Sequence, residues 1–387
     1  MNQGLMRLNK FRKADPIFGN LMTIVTSCLA LALTVPVPTT TDLKQWASEA
    51  TMVVQRDLWD VRRQLYVESL DDQGPSFCWS LGVWLSALTS ASQQDRRYRG
   101  QLRDAMDQLQ SYWNSDGPVA GYDVRPVPKS VDRYYDDNAW LVPILLEAGP
   151  LLRQPKLVQR AEETMVYVAS GEDNKLGGGI YWRESDKASK NTCSNAPSAY
   201  AALRLAVTKK GEERLRWIAA ADRWIDWCRN HLRDPGDGLY WDSMRLDGTI
   251  ENTKCSYNSA LMIRSLVLRA KSERGTQRTK YLDEARKLGI AARKQWVQKD
   301  GSVRDDGSFA HLLLEAFYDL DTMFPKDGFG ETGQLALKAL HKQSRDSAGR
   351  YPKVWGIPIK APLSDVAMLH QASVARAYWV GLERRRN

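Results

Sequence analysis

Residues 132–140 read Asp-Arg-Tyr-Tyr-Asp-Asp-Asn-Ala-Trp, setting two adjacent carboxylates among aromatic rings where a helix should begin. Asp and Asn suit a helix start because they accept orphan backbone N–H bonds and complement the dipole. A glycosidase needs the same equipment: retention takes one ionised carboxylate as nucleophile and one protonated carboxyl as acid, roughly 5 to 5.5 Å apart. Asp136 and Asp137 are sequence neighbours and reach that separation with little help, while Tyr134, Tyr135 and Trp140 offer flat apolar faces to a sugar ring. Capping or plain solvation is the ordinary fate of an Asp-Asp pair, so the surroundings must decide.

Outward from this stretch the chain reads as helix after helix. Apolar spacing at three and four residues, punctuated by Gly, Pro and Asn/Asp, gives twelve segments. They are 41–69, 77–92, 95–114, 134–152, 155–170, 192–208, 211–232, 256–273, 276–298, 308–322, 327–344 and 362–383. Strand-like alternation is nearly absent; Gly179–Trp182 and Leu239–Trp241 suit small hairpins in loops.

The links alternate in length, tight at 153–154, 209–210 and 274–275 but long at 115–133, 171–191, 233–255 and 345–361. Tight turns make antiparallel helix pairs, and their repetition about every fifty to sixty residues suggests a ring or solenoid. Six pairs closing on themselves form an all-α (α/α)6 barrel. Segments 77–92, 192–208, 256–273 and 308–322 are the more apolar, as an inner ring should be, and the Lys/Arg-rich 276–298 belongs outside. All long loops and all inner-helix starts then share one rim, where function should lie. That rim carries Cys78-Trp79, Tyr134 to Asp137, Asn191 to Asn195, Ser256 to Asn258, Ser308-Phe309 and Ser364-Asp365. Caps account for these residues singly, whereas aromatic and amide groups recurring on one rim describe a sugar cleft.

Composition sets the limits. A chain of 387 residues, 43% hydrophobic and 26% charged, suffices for one large core or two modest ones. Trp (14) outnumbers Phe (7), and indoles, flat with a polar N–H, suit carbohydrate surfaces as well as cores. The net charge of +9 is partly concentrated before residue 15, and the remaining cations are scattered along helices without a recognition motif. A solvated surface explains them, and nucleic-acid binding is not expected.

Basic residues followed by the apolar run Leu21–Val35 and Pro36 read as an export signal over 1–36, ahead of a barrel domain over 37–387. The run is short for a membrane span, so membrane association is expected only through this segment if it stays uncleaved. Val25-Thr26-Ser27-Cys28 faintly resembles a lipoprotein cleavage site, but the apolar run continues past it, which favours ordinary export. Cys78, Cys193, Cys228 and Cys255 fit no zinc spacing and are expected to be buried free thiols. Four histidines without paired spacing make a metal site unexpected, and no other cofactor is called for. A monomer is the expected state.

Tyr134-Tyr135-Asp136-Asp137-Asn138-Ala139-Trp140, then Gly177-Gly178-Gly179-Ile180-Tyr181-Trp182 and Lys190-Asn191-Thr192-Cys193-Ser194-Asn195-Ala196-Pro197, resemble glycoside hydrolase family 76. Tyr257-Asn258 fits the pattern as well, so the likeness spans about 45–320. This resemblance implies endo-α-1,6-mannanase activity or, as in related fungal enzymes, transglycosylation, on an (α/α)6 barrel without a metal. It makes Asp136 the nucleophile and Asp137 the general acid/base. Two departures bear on the glycan contacts: Phe309-Ala310-His311 lacks an expected Lys-Gly, and Leu141 follows Trp140 where many members carry a second Trp.

The candidate sugar contacts are Tyr135, Trp140, Tyr181, Trp182, Asn191, Asn195, Tyr257 and Asn258; core packing or capping is the competing role for each. The triple glycine lacks the context of a phosphate loop and suits a tight turn near the cleft. A sugar epimerase of the same barrel class, using His311 and His370, and a non-catalytic glycan-binding protein are the alternatives.

Overall fold

A computed structural model describes residues 36–128 and 131–386; the expected export segment and Cys28 lie outside the described residues. The helices are α1 (Thr40–Leu58), α2 (Cys78–Gln94), α3 (Arg99–Gln110), α4 (Tyr135–Leu152), α5 (Pro155–Ala169), α6 (Thr192–Thr208), α7 (Gly211–His231), α8 (Ser256–Lys271), α9 (Gly275–Trp296), α10 (Gly307–Asp321), α11 (Phe329–Gln343) and α12 (Met368–Arg386). Each even-numbered helix packs on the next, and α12 returns to α2, which closes a ring. The odd-numbered helices back them from outside: α3 lies on α2, α5 on α4, α7 on α6, α9 on α8, α11 on α10 and α1 on α12. This is the (α/α)6 barrel.

Burial follows sequence. Inner α8 buries nearly every residue from Ser256 to Ala270, whereas outer α9 buries only Ala285, Leu288, Gly289, Ala292 and Trp296 on one stripe. Local signals set the helix ends. Thr39 and Asp42 form a capping box at the start of α1, with bonds of 3.1 and 2.8 Å. Between α4 and α5, Arg153 adopts a left-handed conformation (φ 60°) and Pro155 opens the next helix.

The ring axis is polar. Arg264 pairs with Glu315 at 2.7 Å and Asp319 at 3.0 Å, and Arg376 pairs with Glu315 at 2.7 Å. These pairs join α8, α10 and α12 through the barrel centre, and removing one partner would strand a buried charge at a cost of roughly 3–5 kcal/mol.

Three segments depart from the expected helices. The chain leaves α1 at Leu58 and forms a hairpin of β1 (Trp59–Asp60) and β2 (Leu65–Tyr66), so 59–69 is not helical. Segment 95–114 shortens to a 3-10 turn plus α3, because β3 (Trp113–Asn114) pairs with β4 (Gly121–Tyr122). The last inner helix begins at Met368 rather than 362, since Val366 and Ala367 pair with Leu70 and Ser69. A sheet of β5 (Ser189–Asn191), β6 (Ser243–Arg245) and β7 (Ile250–Glu251) joins two of the long loops, beyond the small hairpins expected there.

Candidate active site

First turns of five inner helices meet at one cavity of about 310 Å3. α2 supplies Trp79 and Ser80, α4 Asp136, Asp137 and Trp140, α8 Tyr257, α10 Phe309 and α12 Leu369, while the long loops add Glu68, Phe77, Val124, Tyr134 and Trp182. A second cavity of about 490 Å3 shares Trp182 and Tyr257 with the first and continues along Asn191, Cys193, Asp242 and Glu251.

The two aspartates stand in different surroundings. Asp136 Oδ2 accepts the Trp182 indole N–H at 3.0 Å, and Oδ1 accepts the Asp137 backbone N–H at 3.1 Å. The Cys193 thiol adds a third donor. Burial raises the Asp136 carboxyl to about 6, and these donors hold it from going higher. No hydrogen bond to the Asp137 carboxyl is found among the described residues. Burial, the Asp136 charge and Asp132 all push it well above the carboxylate range.

Several supports fix Trp182. Its carbonyl accepts the Tyr135 N–H at 2.9 Å, and its own N–H reaches Ser189 at 3.1 Å. On one side of this loop Arg133, fully buried, pairs with Glu184 at 2.7 Å. On the other, the buried Lys190 ammonium bonds Asp173 at 2.6 Å and the carbonyls of Lys175 and Gly178 at 2.8 and 2.6 Å. Gly179 has φ 78°, and a Cβ there would lie 2.5 Å from the Trp227 ring, so only glycine fits.

Of the expected sugar contacts, Trp140, Trp182 and Tyr257 line the cavity with the aspartates, and Asn191 lines its extension. Trp182 is 41% exposed, and Tyr257 stacks on Phe309 at 4.3 Å. Four others belong to the scaffold. Tyr135 is buried and stacks on Tyr167 at 5.0 Å; Tyr134 takes the place expected for it. Tyr181 is buried with its hydroxyl on Asp173 at 2.8 Å. Asn258 is fully buried and donates to Asp242 at 3.3 Å. Asn195, fully buried, accepts the Ile180 N–H at 2.7 Å and donates to the Ile180 carbonyl at 3.0 Å.

Asn195 is one instance of a repeated device. Asn138, Asn195, Ser259 and Gln371 each hold the fourth position of an inner helix, and each accepts a backbone N–H from the preceding long loop, at Tyr122, Ile180, Tyr240 and Tyr351. Polar side chains at this fourth position therefore clamp loops to the barrel.

Sequence reasoning missed Glu68, which lines the cavity and accepts bonds from Phe77 N–H at 2.8 Å and Ser80 Oγ at 3.0 Å. It also missed Asp242, half-buried in the extension. His311 lines a cavity of about 50 Å3 on the axis that shares Trp79 and Trp140 with the aspartate cavity, and burial lowers its imidazole to about 4. His370 is buried in α12, and neither histidine lines the cavity that holds the aspartates.

The profile of glycosyl hydrolase family 76 matches residues 43–348. No curated protein matches the chain. Among solved structures, the family 76 α-mannanase of Bacteroides thetaiotaomicron superposes with a TM-score of 0.83 at 27% identity, covering 89% of this chain and 96% of its own. The α-1,6-mannanase of Salegentibacter sp. HEL1_6, solved in inactive form with α-1,6-mannotriose, gives 0.75 at 21% identity over 89% and 100%. Dfg5 of Chaetomium thermophilum, in complex with glucosamine, gives 0.69 at 17% over 90% and 92%. With its Asp-Asp pair at the mouth of a six-hairpin barrel, this chain belongs to glycosyl hydrolase family 76 and is a glycoside hydrolase.

Proposed function

We propose that the chain is a retaining hydrolase of α-1,6-linked mannan or a related α-mannoside glycan, with Asp136 as nucleophile and Asp137 as acid/base. The asymmetry of hydrogen bonding carries this reading. Three donors favour the charged form of Asp136, while Asp137 sits beside that charge with no donor of its own.

In the first step an Asp136 oxygen attacks the anomeric carbon while the Asp137 carboxyl gives its proton to the departing glycosidic oxygen. A glycosyl ester of Asp136 results. In the second step the Asp137 carboxylate takes a proton from water as that water attacks the same carbon and Asp136 leaves. A sugar hydroxyl in place of water gives transfer. Likeness to α-mannanases, one bound to α-1,6-mannotriose, supports the substrate class, and the two joined cavities give room for more than one sugar ring. An N-terminal basic and apolar segment supports action outside the cytoplasm.

Incubation with unbranched α-1,6-mannan, following product sizes over time, tests the substrate. Short oligomannosides accumulating from the start are expected; no new reducing ends would exclude this glycan.

A further inference from the structure

The cavity occupies the end of the barrel where inner helices begin. At the opposite end, tight links join the ends of inner helices to the starts of outer ones, and almost every link there is basic. Arg96, Arg153, Lys210, Lys271, Arg274 and Arg385 are exposed at this end, with no ion pair to them found among the described residues. Glu212, Glu213 and Glu273 stand among these cations, and acidic side chains prevail in the sector between α10 and α11, with Asp321, Asp327 and Glu331. Carboxylates prevail in the two cavities at the other end, where Glu68, Asp136, Asp137, Asp242 and Glu251 line them with Arg245 as the cation among the described residues. Charge is thus separated along the barrel axis.

Two further observations fall on the basic end. Val207 at the end of α6 and Leu215 in the first turns of α7 are 66% and 63% exposed, flanked by Lys210 and Arg216. Val37, just ahead of α1, lines a surface cavity with Tyr318, Arg384 and Arg385 at this same end.

We propose that the basic end of the barrel docks on an anionic lipid bilayer and holds the cleft facing away from it. Exposed apolar side chains among cations suit the headgroup region, where apolar tips insert and cations meet lipid phosphates. Each cation at such a surface strengthens binding by about fivefold. The orientation presents the open cleft to a polymer outside the membrane. This inference is independent of the catalytic roles given to Asp136 and Asp137.

The test uses the full chain with vesicles of phosphatidylcholine alone or with 30% phosphatidylglycerol, in about 50 mM salt. Residues 1–35 are the same in parent and variants, so the change in anionic excess between the two variants is the readout. One variant reverses Lys210→Glu, Lys271→Glu and Arg274→Glu; the control reverses Arg62→Glu, Lys299→Glu and Lys360→Glu at the cavity end, with the same change in net charge. We expect the first to lose on the order of a hundredfold in excess binding, the control to lose little, and both to cleave soluble mannan or an activated mannoside as the parent does. Equal losses in both variants, retained binding in the first, or no anionic excess in the parent would each overturn the proposal. If the excess appears with anionic polysaccharide but not with vesicles, the basic end serves a polymer and the membrane assignment fails.

Discussion

The indole N–H of Trp182 rests on Asp136 Oδ2 at 3.0 Å, so a residue from a long loop 46 positions away supplies one of the donors that favour the charged form of a carboxylate on α4. The partly exposed ring can touch a sugar while its nitrogen holds the Asp136 carboxyl.

Trp182→Phe keeps an aromatic face and removes that donor. A hydrogen bond to a charged group contributes about 1.5–3 kcal/mol, and partial exposure places this one near the low end. Activity should rise with pH through about 6 in the parent, as Asp136 ionises, and this acidic limb should move up by about one pH unit in the variant. A kcat/KM profile measured from pH 4 to 9 checks the shift; an unmoved limb would show that the bond does not poise Asp136.

Asp136→Asn and Asp137→Asn should each lower turnover of mannan by several orders of magnitude. An aryl α-mannoside with a good leaving group separates the roles, because its first step needs no proton. Asp137→Asn should then build up the glycosyl-enzyme, visible by mass spectrometry, and Asp136→Asn should not react. Accumulation in Asp136→Asn instead would exchange the roles.

Asp137 should also carry a cost in stability. Its folded-state affinity for the proton is raised by burial, so the fold binds more protons than the unfolded chain, and stability falls as pH rises above the unfolded value near 4. Asp137→Asn should therefore melt a few degrees higher than the parent at pH 7. The difference should shrink as pH falls to 4 and below, where the unfolded Asp137 carboxyl takes up its proton too. A variant less stable at pH 7 would mean that Asp137 is held by favourable contacts.

Gln371 grips the backbone of Tyr351 with bonds of 3.0 and 2.7 Å, both buried. Gln371→Ala leaves that N–H and carbonyl unsatisfied, at about 1–3 kcal/mol each. Its melting temperature should drop by several degrees while kcat/KM at 25 °C stays at the parent value, since neither residue lines the cleft. A large activity loss in a stably folded variant would give Gln371 a part in catalysis.

These clamps mark the limit of what the sequence discloses. Long apolar helices with Pro, Gly and polar starts are local signals, so α4 to α8 were legible to within two or three residues. The stretch from Trp59 to Ser69 has helical apolar spacing too, yet tertiary partners decide it: Val67 bridges Pro75 and Ser69 bridges Ala367. Asn195 looks the same in sequence whether it meets a sugar or the Ile180 backbone, and only the folded loop distinguishes them. Glu68 carried no signal because its place on the cleft follows from that same hairpin. The aspartate pair was legible because its aromatic neighbours and both carboxylates sit within a single turn.

Proton NMR of a fresh mannan digest tests the central claim most directly. With Asp136 as nucleophile and Asp137 as acid/base, the new reducing ends appear first as the α-anomer and mutarotate afterwards. First appearance of the β-anomer would contradict the account, making one aspartate a bystander and pointing to Glu68, the other carboxylate lining the cavity, as the partner.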